Sequence, residues 1–132
     1  MRRVLATLAA LLIAVALTFA QAPTASAKVG GSLVGNWSGK SVKIACNYGG
    51  SLKTLPNGQT SYWYCTADNH DVDQALVSTT VIGLYTGPKA KDGCYRIAPN
   101  VRAKIPDMGT MSLYKLSSGC RGKKYHGYWS MR

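Results

Sequence analysis

Four cysteines, Cys46, Cys65, Cys94 and Cys120, are the tightest constraint on how this chain can fold, because all of them lie beyond its first 27 residues. Those 27 residues read as a bacterial-type secretory signal peptide. Met1-Arg2-Arg3 is a basic start, Val4 to Ala20 is an apolar run, and Ala25-Ser26-Ala27 is a small-x-small cleavage site. No fuller twin-arginine motif surrounds Arg2-Arg3, so the general secretory route is expected. Removing 27 of the 132 residues leaves 105, a single domain from Lys28 to Arg132 with a thin hydrophobic core. Export delivers an even number of thiols to an oxidising compartment, which predicts two disulfides. A zinc site is not expected, because no Cys-x-x-Cys pair is present. Four cysteines permit three pairings. Of these, Cys46 with Cys65 and Cys94 with Cys120 are expected, since an up-and-down meander brings chain-adjacent cysteines together.

Charge bounds the partners. The chain has 16 Lys and Arg against 5 Asp, and without Arg2 and Arg3 the domain carries about +9. Such an excess attracts anionic surfaces: cell-wall polyanions, lipid head groups, nucleic acid or an acidic protein. An extracellular protein or anionic polymer is the expected partner, with nucleic acid ranked behind them. After the leader, no apolar run approaches membrane-spanning length.

The rest of the chain reads as all-β. Lys28 to Lys40 is Gly- and Ser-rich and reads as a loose arm around Leu33, Val34 and Trp37. Ser41 to Cys46 alternates strictly, with Val42, Ile44 and Cys46 on one side. Asn47-Tyr48-Gly49-Gly50 and Pro56-Asn57-Gly58-Gln59 are turns, and Thr60 to Cys65 reads as a strand. From Val72 to Tyr85 the β-branched density predicts two short strands with a break near Ser78 or Gly83. Cys94 to Ile97, Val101 to Ile105, the stretch around Met111 and Leu113, and Tyr125 to Arg132 complete roughly eight strands. That pattern describes a small disulfide-stapled antiparallel β-sandwich, with a small closed β-barrel as the alternative.

Few residues suggest chemistry. Asp68-Asn69-His70-Asp71-Val72-Asp73 gathers three of the five acids, yet lacks the bidentate Glu and the turn Gly of a calcium loop. It reads as a solvated loop, and neither metal nor cofactor is expected. His70 and His126 are the only histidines and form the sole candidate acid–base pair, which would suit a small ribonuclease. No nucleophile elbow, zinc-protease helix or phosphate loop is present. Two aromatic stretches stand out instead. In Tyr62-Trp63-Tyr64, alternation sends Trp63 to one face and the tyrosines to the other, leaving aromatic surface exposed. In Arg121 to Trp129, Lys123, Lys124, Tyr128 and Trp129 interleave cations with rings that suit phosphates, bases or sugars. As a closing strand, the same stretch directs Tyr125, Gly127, Trp129 and Met131 inward and His126, Tyr128 and Ser130 outward.

The run Cys94-Tyr95-Arg96-Ile97-Ala98-Pro99, followed by Gly109, Tyr114 and Cys120, resembles the second disulfide loop of the small secreted actinomycete α-amylase inhibitors of the tendamistat type. The resemblance spans the 27 residues from Cys94 to Cys120. It implies a six-stranded β-sandwich with two sequential disulfides. The family's inhibitory Trp-Arg-Tyr triplet has no match here, because the corresponding interval holds Tyr62-Trp63-Tyr64 without an arginine. A second likeness, of Gly35-Asn36-Trp37 to the Gly-x-Trp of lipocalin-type proteins, implies a barrel.

These readings converge on a secreted, basic, non-enzymatic binding protein, with inhibition of an extracellular hydrolase as one form. Tyr62, Trp63 and Tyr64 are its expected contacts, with Lys89 and Lys91 as neighbours. The alternatives are a cationic protein acting on cell envelopes through Lys123, Lys124, Tyr128 and Trp129, and a hydrolase using His70 and His126.

Overall fold

The computed structural model describes residues 31–132, so the signal peptide read from residues 1–27 lies outside them. The described chain folds into two β-sheets. The strands are β1 (Leu33–Trp37), β2 (Val42–Ala45), β3 (Leu52–Leu55), β4 (Gln59–Thr60), β5 (Gln74–Leu76), β6 (Val81–Thr86), β7 (Gly93–Ile97), β8 (Ala103–Lys104), β9 (Thr110–Lys115) and β10 (Tyr125–Tyr128). Six form one sheet in the order β10-β7-β6-β9-β1-β4, and four form the other in the order β3-β2-β5-β8. The arrangement is sandwich-like, and neither sheet closes into a barrel. Among the described residues no helix is long and apolar enough to cross a membrane.

The core follows from the alternation of the strands. Val42 and Ile44 of β2, Ala75 of β5 and Ala103 of β8 face Val34 of β1, Val81 and Tyr85 of β6, Tyr95 and Ile97 of β7, and Met111 and Leu113 of β9. The break expected near Ser78 is real, since β5 ends at Leu76 and β6 begins at Val81.

Both disulfides join the cysteines in chain order, Cys46 to Cys65 and Cys94 to Cys120. The reason is not a meander. Cys46 immediately follows β2 and Cys65 lies between two 3-10 turns, Ser61–Trp63 and Thr66–Asp68, while Cys94 sits on β7 and Cys120 in the segment before β10. Each staple therefore ties a strand to a loop. The four-stranded sheet is wholly antiparallel. In the six-stranded sheet, however, β1 runs parallel to β9 and β10 parallel to β7.

Three local readings are corrected. The loose arm is a strand, β1, hydrogen-bonded between β9 and β4. Its small residues allow close packing: Trp37 folds back over Gly35, where a Cβ would come within 2.1 Å of the indole ring. The strand expected over Thr60 to Cys65 ends at Thr60. There the buried Ser61 hydroxyl accepts the Val34 N–H at 2.9 Å, and the chain coils into a 3-10 turn. Finally, β10 does not alternate as expected. Tyr125 pairs with Cys94 and Tyr128 with Arg96, so three steps along β10 match two along β7. Gly127, at φ 95°, absorbs the extra residue as a bulge.

Candidate functional site

The Cys46–Cys65 staple organises a compact aromatic platform. The Cys65 carbonyl accepts N–H bonds from Asp68 at 3.0 Å and His70 at 2.8 Å. Asn69 and His70 both take left-handed backbone angles, φ 54° and 64°, which reverse the chain. The reversal lays the His70 ring flat on Tyr62, with centroids 3.8 Å apart and planes 1° from parallel. His70 Nδ1–H donates to the Tyr62 carbonyl at 2.5 Å, which fixes the imidazole's tautomer. Trp63 stands edge-on to both rings, 4.8 Å from Tyr62 and 6.2 Å from His70. It is 74% exposed. Below it, Lys53 Nζ donates to the Tyr64 carbonyl at 2.7 Å, and Tyr64 packs against the core.

Expected residues thus separate into distinct places. Tyr62 and Trp63 form the platform, and His70 joins them as a ring partner. Lys89 and Lys91 are exposed on the β6–β7 loop. Lys89 lines a separate cleft, and the Lys91 carbonyl accepts the Tyr95 hydroxyl at 2.7 Å. His126 lies on β10, with Nε2–H donating to the Asp92 carbonyl at 3.0 Å and its ring against Tyr95. His70 lies in the loop before β5, stacked on Tyr62 just past β4, whereas His126 is on β10, and β4 and β10 are opposite edges of the six-stranded sheet. At about 4.8 Å per strand, roughly 24 Å of sheet separates those edges. The two histidines have no hydrogen-bond or ring partner in common.

Trp129, expected among the surface contacts, is a core residue with 9% exposure. It packs on Tyr85 and Tyr95, and its indole N–H donates to the Lys104 carbonyl at 2.9 Å. Lys123, Lys124 and Tyr128 remain exposed. Tyr125, expected inward, points outward because of the Gly127 bulge, and the Arg96 guanidinium lies 5.8 Å over its ring.

A second concave feature is a cleft of about 670 Å³ lined by Tyr48, Asp73, Lys89, Lys104, Asp107 and Arg132, among others. Asp71, Asp73 and Asp107 bring carboxylate oxygens within 4.8 Å of one another there, a hard-oxygen donor set of the kind that suits calcium. Two of the three already serve the fold. Asp71 accepts the Ser32 N–H and hydroxyl at 2.6 and 2.8 Å, and Asp73 accepts the Tyr48 N–H at 2.8 Å. Burial pushes the Asp73 carboxyl above its ordinary pKa. The charges of Asp71 and Asp107 push the same way, against the Tyr48 N–H and Lys104.

Asn36-Trp37-Ser38 fits the Asn-x-Ser glycosylation sequon, but the fold closes it. Asn36 is fully buried, and its Nδ2 donates to the carbonyls of Lys40 at 2.7 Å and Leu55 at 3.0 Å. Both amide hydrogens are engaged, so a glycan on Nδ2 is incompatible with this structure.

The sequence reading missed His70 as a platform member and missed the outward residues Trp37, Tyr48, Arg96 and Tyr114. Only the Gly-x-Trp spacing at Trp37 offered a signal. Comparison of the chain with protein-family models, with curated proteins and with solved structures finds no match.

Proposed function

We propose that this chain is an exported, non-enzymatic binding protein that seats Trp63 in a pocket of an extracellular partner protein, and that the partner is a hydrolase which this contact inhibits. The observation that carries the reading is the projecting indole itself. Leaving a large apolar ring in water is unfavourable by about 1.5–3 kcal/mol relative to burying it, and Trp is the side chain most often found as an interface anchor. Tyr62 and His70 brace the ring and the disulfide holds the turn beneath them, so little conformational freedom remains to be lost on association. Two disulfides fit an oxidising, extracellular setting. The separation of the two histidines speaks against the hydrolase alternative.

The experiment is an inhibition screen of the domain from Lys28 to Arg132 against purified secreted amylases, other glycosidases and proteases, using wild type and Trp63→Ala. At least one enzyme is expected to be inhibited, with Trp63→Ala weakening inhibition tenfold or more at unchanged Tm. An aromatic interface is also expected to respond weakly to added salt. Inhibition that survives Trp63→Ala, or that salt alone abolishes, would overturn the reading.

A further inference from the structure

A different surface carries an inference independent of Trp63. None of the six strands β10, β7, β6, β9, β1 and β4 contains an acidic residue, and neither does the segment 116–124. Val34, Val81, Tyr85, Tyr95, Ile97, Met111 and Leu113 face the core, so the alternate positions face outward.

Register aligns those outward positions. Trp37 lies beside Tyr114, Tyr114 opposite Ile82, Ile82 opposite Arg96, and Arg96 beside Tyr128. One row therefore crosses five strands. Tyr125 stands next to it, on the same face as Tyr128 because of the Gly127 bulge. Cys94 is outward too, so its bond to Cys120 straps the segment 116–124 to this face, where the turn Leu116–Ser118 contacts β6 and Ile82 is buried. The strap delivers Arg121 to a point 4.6 Å over the Tyr114 ring, while Arg96 lies 5.8 Å over Tyr125. Lys123 and Lys124 are exposed on the same strap. Trp37, Tyr125 and Tyr128 are 42%, 47% and 57% exposed.

We propose that this face binds single-stranded nucleic acid. A guanidinium resting on a ring keeps its N–H edge free for a phosphate, and the lysines add point charges along the strap. Open aromatic rings between those cations offer stacking surfaces for unpaired bases. A single strand supplies a counterpart to both halves of the surface. A polyanion without planar groups uses only the cations, and a duplex keeps its bases stacked internally. A second copy of this chain is disfavoured, because two acid-free cationic faces repel. The acids Asp71, Asp73 and Asp107 are gathered elsewhere, at the cleft.

The test is fluorescence anisotropy of labelled oligothymidylate titrated with the domain, with inorganic polyphosphate and a DNA duplex as competitors at equal phosphate concentration. Oligothymidylate is expected to bind with a log–log salt slope of about −2 to −3, as for three or four neutralised phosphates, and to resist both competitors. Tyr125→Ala with Tyr128→Ala is expected to weaken binding tenfold or more. Tyr128→Leu serves if the alanines loosen the edge strand. Lys123→Ala with Lys124→Ala is expected to flatten the salt slope, and Trp63→Ala to change nothing. Absence of binding at low salt, polyphosphate competing equally well, or full affinity without the tyrosines would each overturn the proposal.

Discussion

The imidazole of His70 lies face to face with the phenol ring of Tyr62, 3.8 Å away, and that stack is what aims Trp63 outward. Removing either ring should cost the same interaction once. A double-mutant cycle with Tyr62→Leu and His70→Ala is expected to give a coupling of about 0.5–1.5 kcal/mol in chemical denaturation. Strict additivity would show that the two rings are merely adjacent.

Asn36 is buried with every polar atom paired, its Oδ1 accepting the Ser38 N–H at 3.1 Å and hydroxyl at 2.7 Å while Nδ2 supplies two carbonyls. Asn36→Asp removes both donors and puts a charge there, so a loss of about 3 kcal/mol or more is expected. Asn36→Ala is expected to cost about 2 kcal/mol. Expression in a glycosylating host should leave the mass of the folded protein unchanged, and a glycan found on Asn36 of folded material would refute the packing described.

Asp73 has a folded-state pKa raised above 3.8 by burial and by its acidic neighbours. A raised carboxyl favours folding in its protonated form. Its contribution is thus full below the unfolded value and is lost as pH rises through the folded value. At neutral pH the ionised group is a penalty that Asp73→Asn relieves, while the amide oxygen still accepts the Tyr48 N–H. Melting curves should place the variant's Tm above wild type near pH 7 and bring the two together below the carboxylate range. A gain independent of pH would contradict this assignment.

The two staples are expected to separate in function. In the chain-entropy model each is worth about 3 kcal/mol, and they bridge separations of 19 and 26 residues. Replacing Cys46 and Cys65 by alanine releases the carbonyl that positions His70, so Trp63-dependent binding should fall along with stability. Replacing Cys94 and Cys120 frees the strap over the six-stranded sheet and should leave Trp63-dependent binding intact. Denaturation midpoints together with the inhibition assay decide the matter, and equal losses from both pairs would refute it.

Local pattern made much of the framework readable. Val42 and Ile44 announce β2 by alternation, and the gap between β5 and β6 shows in the residues around Ser78. Pairing was less accessible, because periodicity records which face a side chain takes and not which strand lies beside it. The parallel neighbours β1 and β9 leave no local trace. Tyr62-Trp63-Tyr64 has strand-like composition, yet Ser61 bonded to Val34 and Cys65 bonded to Cys46 coil it into a turn. His70 reached Tyr62 through left-handed angles at Asn69 and His70, which the sequence marks only weakly. On β10, one unpaired residue at Gly127 inverted the expected sidedness of Tyr125.

The parallel pairing of Leu33–Trp37 with Thr110–Lys115 also sets an order of events. A chain that emerges amino end first can close the β2–β3 and β6–β7 hairpins early, but the β1–β9 and β7–β10 pairings must wait for the ninth and tenth strands. Contacts of such long sequence separation slow folding. The larger sheet is therefore completed, at its β1–β9 and β7–β10 seams, only once almost the whole polypeptide is available.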